Sequence, residues 1–140
     1  MPDENDAPSF AFDASNMFEP LLQAEPSFRP QWERFRQEWS GEKSPPLYLA
    51  LSRLAEHLIA RLSAGDTDRF DGVFDAVERW IVEGDNDVRE AAIVGLLEDL
   101  QNSNLHRVTR PEDFLAWLRP QSAIWWAKVD AFWAEGRPLA

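Results

Sequence analysis

The chain has 140 residues and no cysteine, with 25 acidic against 14 basic side chains, a net charge of −11 and a pI near 4.5. One domain of this length buries enough surface to fold without a metal or a disulfide. The missing cysteine excludes a disulfide framework and a thiolate metal site, and the acidity argues against nucleic acid or anionic membrane as partners while suiting a basic protein.

Seven tryptophans, nine phenylalanines and one tyrosine supply a core, so the charge does not signal a disordered chain. The start, Met1-Pro2-Asp3-Glu4, lacks the basic opening and apolar run of a secretory signal. No window approaches 18 consecutive apolar residues. The expectation is a cytoplasmic protein that does not enter a membrane.

Residues 1–15 carry Pro2, Pro8 and many acids and amides, which predicts a flexible acidic arm before a helical domain over 16–140. A short helix is expected near 17–22. Pro30 suits the first turn of a second helix over 31–39, where Trp32, Phe35 and Trp39 share one face. Ser44 and two prolines predict the opening of a helix over 46–64. Leu47, Leu51, Leu54, Leu58 and Leu62 form its stripe, Gly65 ends it, and Asp66 is read as the next cap. The helix over 68–83 buries Phe70, Val73, Phe74, Val77, Trp80 and Ile81. Asp87 and Glu90 have capping-box spacing for a helix over 88–102, whose Ala91, Ala92 and Gly95 invite close approach. Thr109 and Glu112 repeat that spacing before a short helix ending near Leu118. Pro120 opens a last helix ending near Gly136, with Trp125, Trp126, Val129, Phe132 and Trp133 on a wide apolar face. No segment alternates long enough to predict a strand. The fold class expected is all-α, a single compact domain of about five to seven helices in antiparallel hairpins.

No catalytic motif emerges. His57 and His106 have no metal-ligand spacing and read as surface or capping side chains. There is no phosphate loop and no nucleophile elbow. The chain is therefore expected to be no enzyme, with no cofactor and no metal. The tryptophans read mainly as core, and any exposed one would be a candidate interface anchor.

Charge is more informative. Residues 1–25 carry −6, 26–65 carry +2, 66–99 carry −8 and 100–140 carry +1. Asp68, Asp71, Asp75 and Glu78 step by three or four and form one row on the fourth helix. Glu83, Asp85 and Asp87 follow at the next junction. Like charges at such spacing cost an isolated helix roughly 0.2–0.5 kcal/mol per pair. Two explanations fit: an ordinary solvated face, or a patch that steers a basic partner. Asp68, Asp71, Asp75, Glu78, Glu83 and Asp85 are the candidate partner-binding residues.

Two stretches carry a resemblance. One is Gly84-Asp85-Asn86-Asp87-Val88-Arg89-Glu90-Ala91-Ala92, continuing to Asn102. The other is Leu118-Arg119-Pro120-Gln121-Ser122-Ala123-Ile124-Trp125-Trp126 with Phe132-Trp133. Together they resemble small acidic all-helical bacterial proteins of unknown function that are linked to polymorphic-toxin immunity. The first is also similar to a HEAT-repeat helix, but no 40-residue period repeats it. The resemblance covers roughly 46–134. It implies an immunity protein that binds and neutralises a cognate toxin with a basic surface, without catalysis. The slightly basic region 26–65 departs from a uniformly acidic mimic of nucleic acid. A helical adaptor is the alternative, and an enzyme built on scattered carboxylates is a third.

Overall fold

A computed structural model describes residues 10–136. Helix α1 (Phe18–Ala24) leads through a 3-10 turn (Pro26–Phe28) into α2 (Arg29–Glu38). After a linker come α3 (Leu47–Ala64) and α4 (Phe70–Glu83). The next rod is continuous but mixed: α5 (Asn86–Glu90), a π-helical segment (Ala91–Leu97) and α6 (Glu98–Leu100). Two 3-10 turns, Ser103–Leu105 and Pro111–Trp117, precede α7 (Pro120–Glu135). These seven helices make a single all-α domain. Among the described residues the one extended pairing is an isolated parallel bridge between Phe12 and Gly84.

The leucine stripe folds as its spacing demands, with Leu51, Leu54 and Leu58 fully buried in α3. Gly65 ends that helix at φ 78°, the left-handed conformation glycine adopts without steric penalty. Every apolar residue predicted for α4 is buried, and Trp80 is its centre. The Trp80 indole N–H donates to the Met17 carbonyl at 2.7 Å, so this large side chain is buried without leaving its donor orphaned. α1 lies on α4, α3 packs along the π-helical segment, and α7 covers both α4 and that segment.

Small residues set the close approaches. A Cβ on Gly72 would stand 3.1 Å from that of Ala24, so glycine brings α1 against α4. Gly95 lies beneath the Tyr48 ring, where a Cβ would stand 3.2 Å from Cδ1. Gly95→Ala should leave stability within about 1 kcal/mol, because better helix propensity offsets the crowding and the exposed Tyr48 ring can yield. It should shift that ring from Glu90. Burial and Glu90 together hold the Tyr48 phenol above its ordinary range. Ultraviolet titration of this single tyrosine should therefore show its pKa falling in the variant; an unmoved titration would refute the coupling.

Several local expectations are corrected. Ser44 does not cap α3, which opens after Pro46 without a side-chain cap. Asp66 pairs with Arg61 at 3.6 Å, and α4 starts at Phe70. Asp85, not Asp87, accepts the Val88 N–H at 2.9 Å and caps α5. The predicted helix after Thr109 is a 3-10 turn in which Asp113 accepts the Arg110 N–H. Of the arm expected over 1–15, residues 1–9 lie outside the described residues. The rest is tied down: Ala11 N–H donates to the Glu83 carbonyl, Asp85 N–H donates to that of Phe12, and Phe12 is buried.

The tryptophans are graded rather than uniformly core. Trp80 and Trp126 are buried, Trp32, Trp39, Trp117 and Trp125 are half-buried, and Trp133 is 63% exposed. The broad apolar face expected on α7 is split, because Ser122, Trp126 and Val129 face inward while Ile124, Phe132 and Trp133 face out.

Candidate functional site

The predicted acidic row is spent largely inside the molecule. Arg119, just before α7, bonds Asp75 at 2.8 Å through Nε and reaches Asp71 at 3.7 Å. It also donates to the Asp71 carbonyl at 3.1 Å. Glu78 accepts the backbone N–H groups of Gln121 and Ser122, both at 2.8 Å. Those groups are the orphan donors at the positive end of α7, where a carboxylate is favoured. The row thus fastens α7 to α4, which offsets the repulsion its spacing creates. Asp68 stays exposed and makes no ion pair among the described residues. Glu83 pairs with Arg79 at 3.5 Å, and Asp85 serves as the α5 cap.

Between α1, α2 and the amino ends of α3 and α5 lies an open groove of about 1310 Å³. Its floor is a ladder of rings: Phe18 stacks on Trp32 at 4.1 Å, Trp32 on Phe35 at 5.8 Å, and Trp39 is tilted 6.4 Å beyond. Leu47 and Tyr48, at the start of α3, also line the groove. Around the rim, five carboxylates face three cations. Two of those cations, Arg29 and Arg36, flank the same Glu33 at 4.0 and 3.9 Å. Glu19, Glu42, Asp87 and Glu90 stand without an ion pair among the described residues, and the negative charge of Glu90 helps to raise the Tyr48 phenol. The helical stripe of Trp32, Phe35 and Trp39 was visible in the sequence. The partial exposure of Trp32 and Trp39 beside the buried Phe35 was not, because spacing reports a face and not how deeply that face is covered.

A second cluster was missed entirely. Glu25, in the turn after α1, is 1% exposed. Ser27 donates its hydroxyl proton to one Glu25 oxygen, and His57 Nε2 lies 2.9 Å from the Ser27 oxygen. Since Ser27 has a single proton, Nε2–H is the donor in that second bond. Arg61 Nε lies 3.6 Å from the same carboxylate, while its other oxygen is buried without a partner. In a nucleophile relay the carboxylate orients the far imidazole nitrogen; here it holds the serine. The cluster fastens the α1–α2 turn onto α3. The only sequence signal was a carboxylate two residues before a serine at a proline break, which is too common to single out.

Of the surface or capping roles expected for the histidines, His106 fills the capping one at the end of α6, whereas His57 is drawn into the Glu25 cluster. His106 bridges the Leu100 carbonyl at 2.9 Å and Thr109 at 2.7 Å. Burial pushes the His57 imidazole below its ordinary range, although Glu25 opposes the shift. With the native value depressed, the unfolded chain holds the proton more readily. Stability should therefore fall as pH drops through about 6.5, the unfolded imidazole value, and level off below the native one. Denaturant midpoints at pH 7.5 and 5.5 should show that loss, and His57→Gln should flatten it. Burial raises the carboxyls of Glu98 and Asp99, so they act in the opposite sense, stabilising as pH falls near the carboxylate range.

Among the described residues no group of three or more histidine, aspartate or glutamate side chains could hold a metal ion, and no helix is long and apolar enough to cross a membrane. A family model described as a domain of unknown function, DUF7674, matches residues 18–134. The chain belongs to that family. No curated protein and no solved structure matches it. The DUF7674 match spans α1 to nearly the end of α7, so the ring floor of the groove and the α4–α7 clamp lie within it, while Phe12, Met17 and the groove-lining Ala14 and Ser15 precede it.

Proposed function

We propose that this DUF7674 protein is a stoichiometric binder of a basic protein, and specifically an immunity protein that neutralises a cognate toxin without catalysis. The supporting observation is the carboxylate left over once internal pairing is complete. Segment 66–99 carries −8, and Arg119, Arg79 and Arg61 answer only Asp71, Asp75, Glu83 and Asp66. Asp68, Asp87 and Glu90 remain on the outside. Such a surface accelerates encounter with a basic partner and makes the rate salt-sensitive. The resemblance of the 84–102 and 118–133 segments to toxin-immunity proteins narrows that partner to a toxin.

Co-expression with any toxin found encoded beside this gene tests the reading. Growth should be restored and a one-to-one complex recovered; a toxin that kills regardless refutes it. The exposed Ile124, Phe132 and Trp133 on α7 favour a second reading, a helical adaptor. In that case pull-downs should return housekeeping proteins through α7.

A further inference from the structure

We propose that the groove over α1 and α2 receives a basic amphipathic segment of the partner, its apolar side chains on the ring floor and its lysine or arginine at the acidic rim. The inference rests on the reading of this chain as a binder of a basic protein, and it names the place and the chemistry.

Three observations converge on that occupant. The floor is apolar, and its half-buried Trp32 and Trp39, backed by the buried Phe18 and Phe35, offer aromatic area that water covers in the free protein. The rim is short of cations. Arg29 and Arg36 are both engaged by Glu33 and Lys43 is the one further rim cation, while Asp87 and Glu90 project from the first turns of the rod with no ion pair among the described residues. An anionic segment would meet repulsion there, whereas an incoming cation meets charge that the fold has not neutralised.

The third observation is how the chain treats its own rings. It places Arg53 over Phe35 at 5.6 Å, Arg79 over Phe12 at 4.8 Å, and Arg89 and Lys128 over Trp125 at 5.5 and 4.5 Å. Trp39, at the groove mouth, receives no cation from the described residues and touches one other ring, Phe35. A lysine or arginine arriving over Trp39 would complete the pattern used elsewhere. The acidic junction singled out from the sequence enters here through Asp87, while Glu83 and Asp85 are held by Arg79 and by the α5 cap.

Isothermal titration of the full chain with a 14-residue lysine–leucine amphipathic peptide tests the proposal, with a glutamate–leucine peptide of equal length as control. The lysine peptide should bind one-to-one and at least tenfold tighter than the control. The Asp87→Lys/Glu90→Lys pair should weaken it at least tenfold, and Asp68→Lys, outside the groove, should leave it within twofold. Equal affinity for both peptides, an unaffected groove pair, or an equal loss in Asp68→Lys overturns the proposal. If the lysine pair unfolds the domain, Asp87→Asn/Glu90→Gln replaces it, with a loss of about fivefold expected. The toxin assay separates the two readings. Peptide binding without rescue of cells keeps the groove and discards immunity, while rescue that survives the groove pair does the reverse.

Discussion

Gly84→Ala will destabilise the domain by about 1–3 kcal/mol, the ordinary cost of overpacking, and sits at the upper end of that range. The backbone there, φ −83° and ψ 156°, is one that any residue adopts, so the cost is steric. A Cβ at this position would run into the Trp80 carbonyl oxygen and stand 2.6 Å from Val88 Cγ1. Neither can retreat easily. The Trp80 carbonyl accepts the Gly84 N–H at 3.0 Å, and Val88 is fully buried behind the Asp85 cap. Movement would also pull on the bridge to Phe12. Gly41→Ala is the control, because nothing lies within 4 Å of that position. Urea denaturation should show a lower midpoint for Gly84→Ala and an unchanged one for Gly41→Ala. Equal midpoints would mean that the α4–α5 junction is looser than its packing indicates.

The second large effect belongs to Glu78. Glu78→Ala removes the acceptor from two backbone N–H groups of α7 and should cost about 1–3 kcal/mol, in the range of charged hydrogen bonds and helix caps. Glu78→Gln keeps an acceptor without the charge and should cost less. This changes how neutralisation of the whole row must be read. Converting Asp68, Asp71, Asp75 and Glu78 together to amides will first loosen α7 from α4, and slower partner association would follow from that loss as much as from lost steering. Denaturant titration of the single and combined variants separates the two. Asp68→Asn should leave stability unchanged, and Glu78→Ala should account for most of the combined loss. If the four-residue variant is as stable as the parent, the carboxylates do not hold α7.

What was legible in the sequence, and what was not, divides by distance along the chain. Local periodicity located α3 and α4, since the leucine stripe and the Phe70 to Ile81 face need only their own helix to be read. Gly65 as a terminator was equally local. The clamp was not legible, because Asp75 and Arg119 are 44 residues apart and nothing in either neighbourhood refers to the other. The repulsive row therefore read as a cost in need of a partner, when its partner lay in the same chain. The 3-10 turn at Pro111–Trp117 reads as a helix in the sequence because its proline and acidic residues open both structures alike. Its buried Phe114 packs against Phe70 and Phe74, a contact that helix propensity cannot express. The π-helical segment carries no signature beyond the small residues Ala91, Ala92 and Gly95, which an ordinary α-helix would also tolerate.

The bond from Trp80 to Met17 bears on how this domain is excised. The family-matched region begins at Phe18, one residue past the carbonyl that satisfies the buried indole and six past the ring of Phe12. A truncated version starting at Phe18 would keep all seven helices and still lack both. The Trp80 N–H would then sit in the core with no acceptor, and the guanidinium of Arg79 would lose the ring beneath it. The autonomous unit thus includes Ala11, whose N–H donates to the Glu83 carbonyl, and Phe12, ahead of the boundary that family likeness draws.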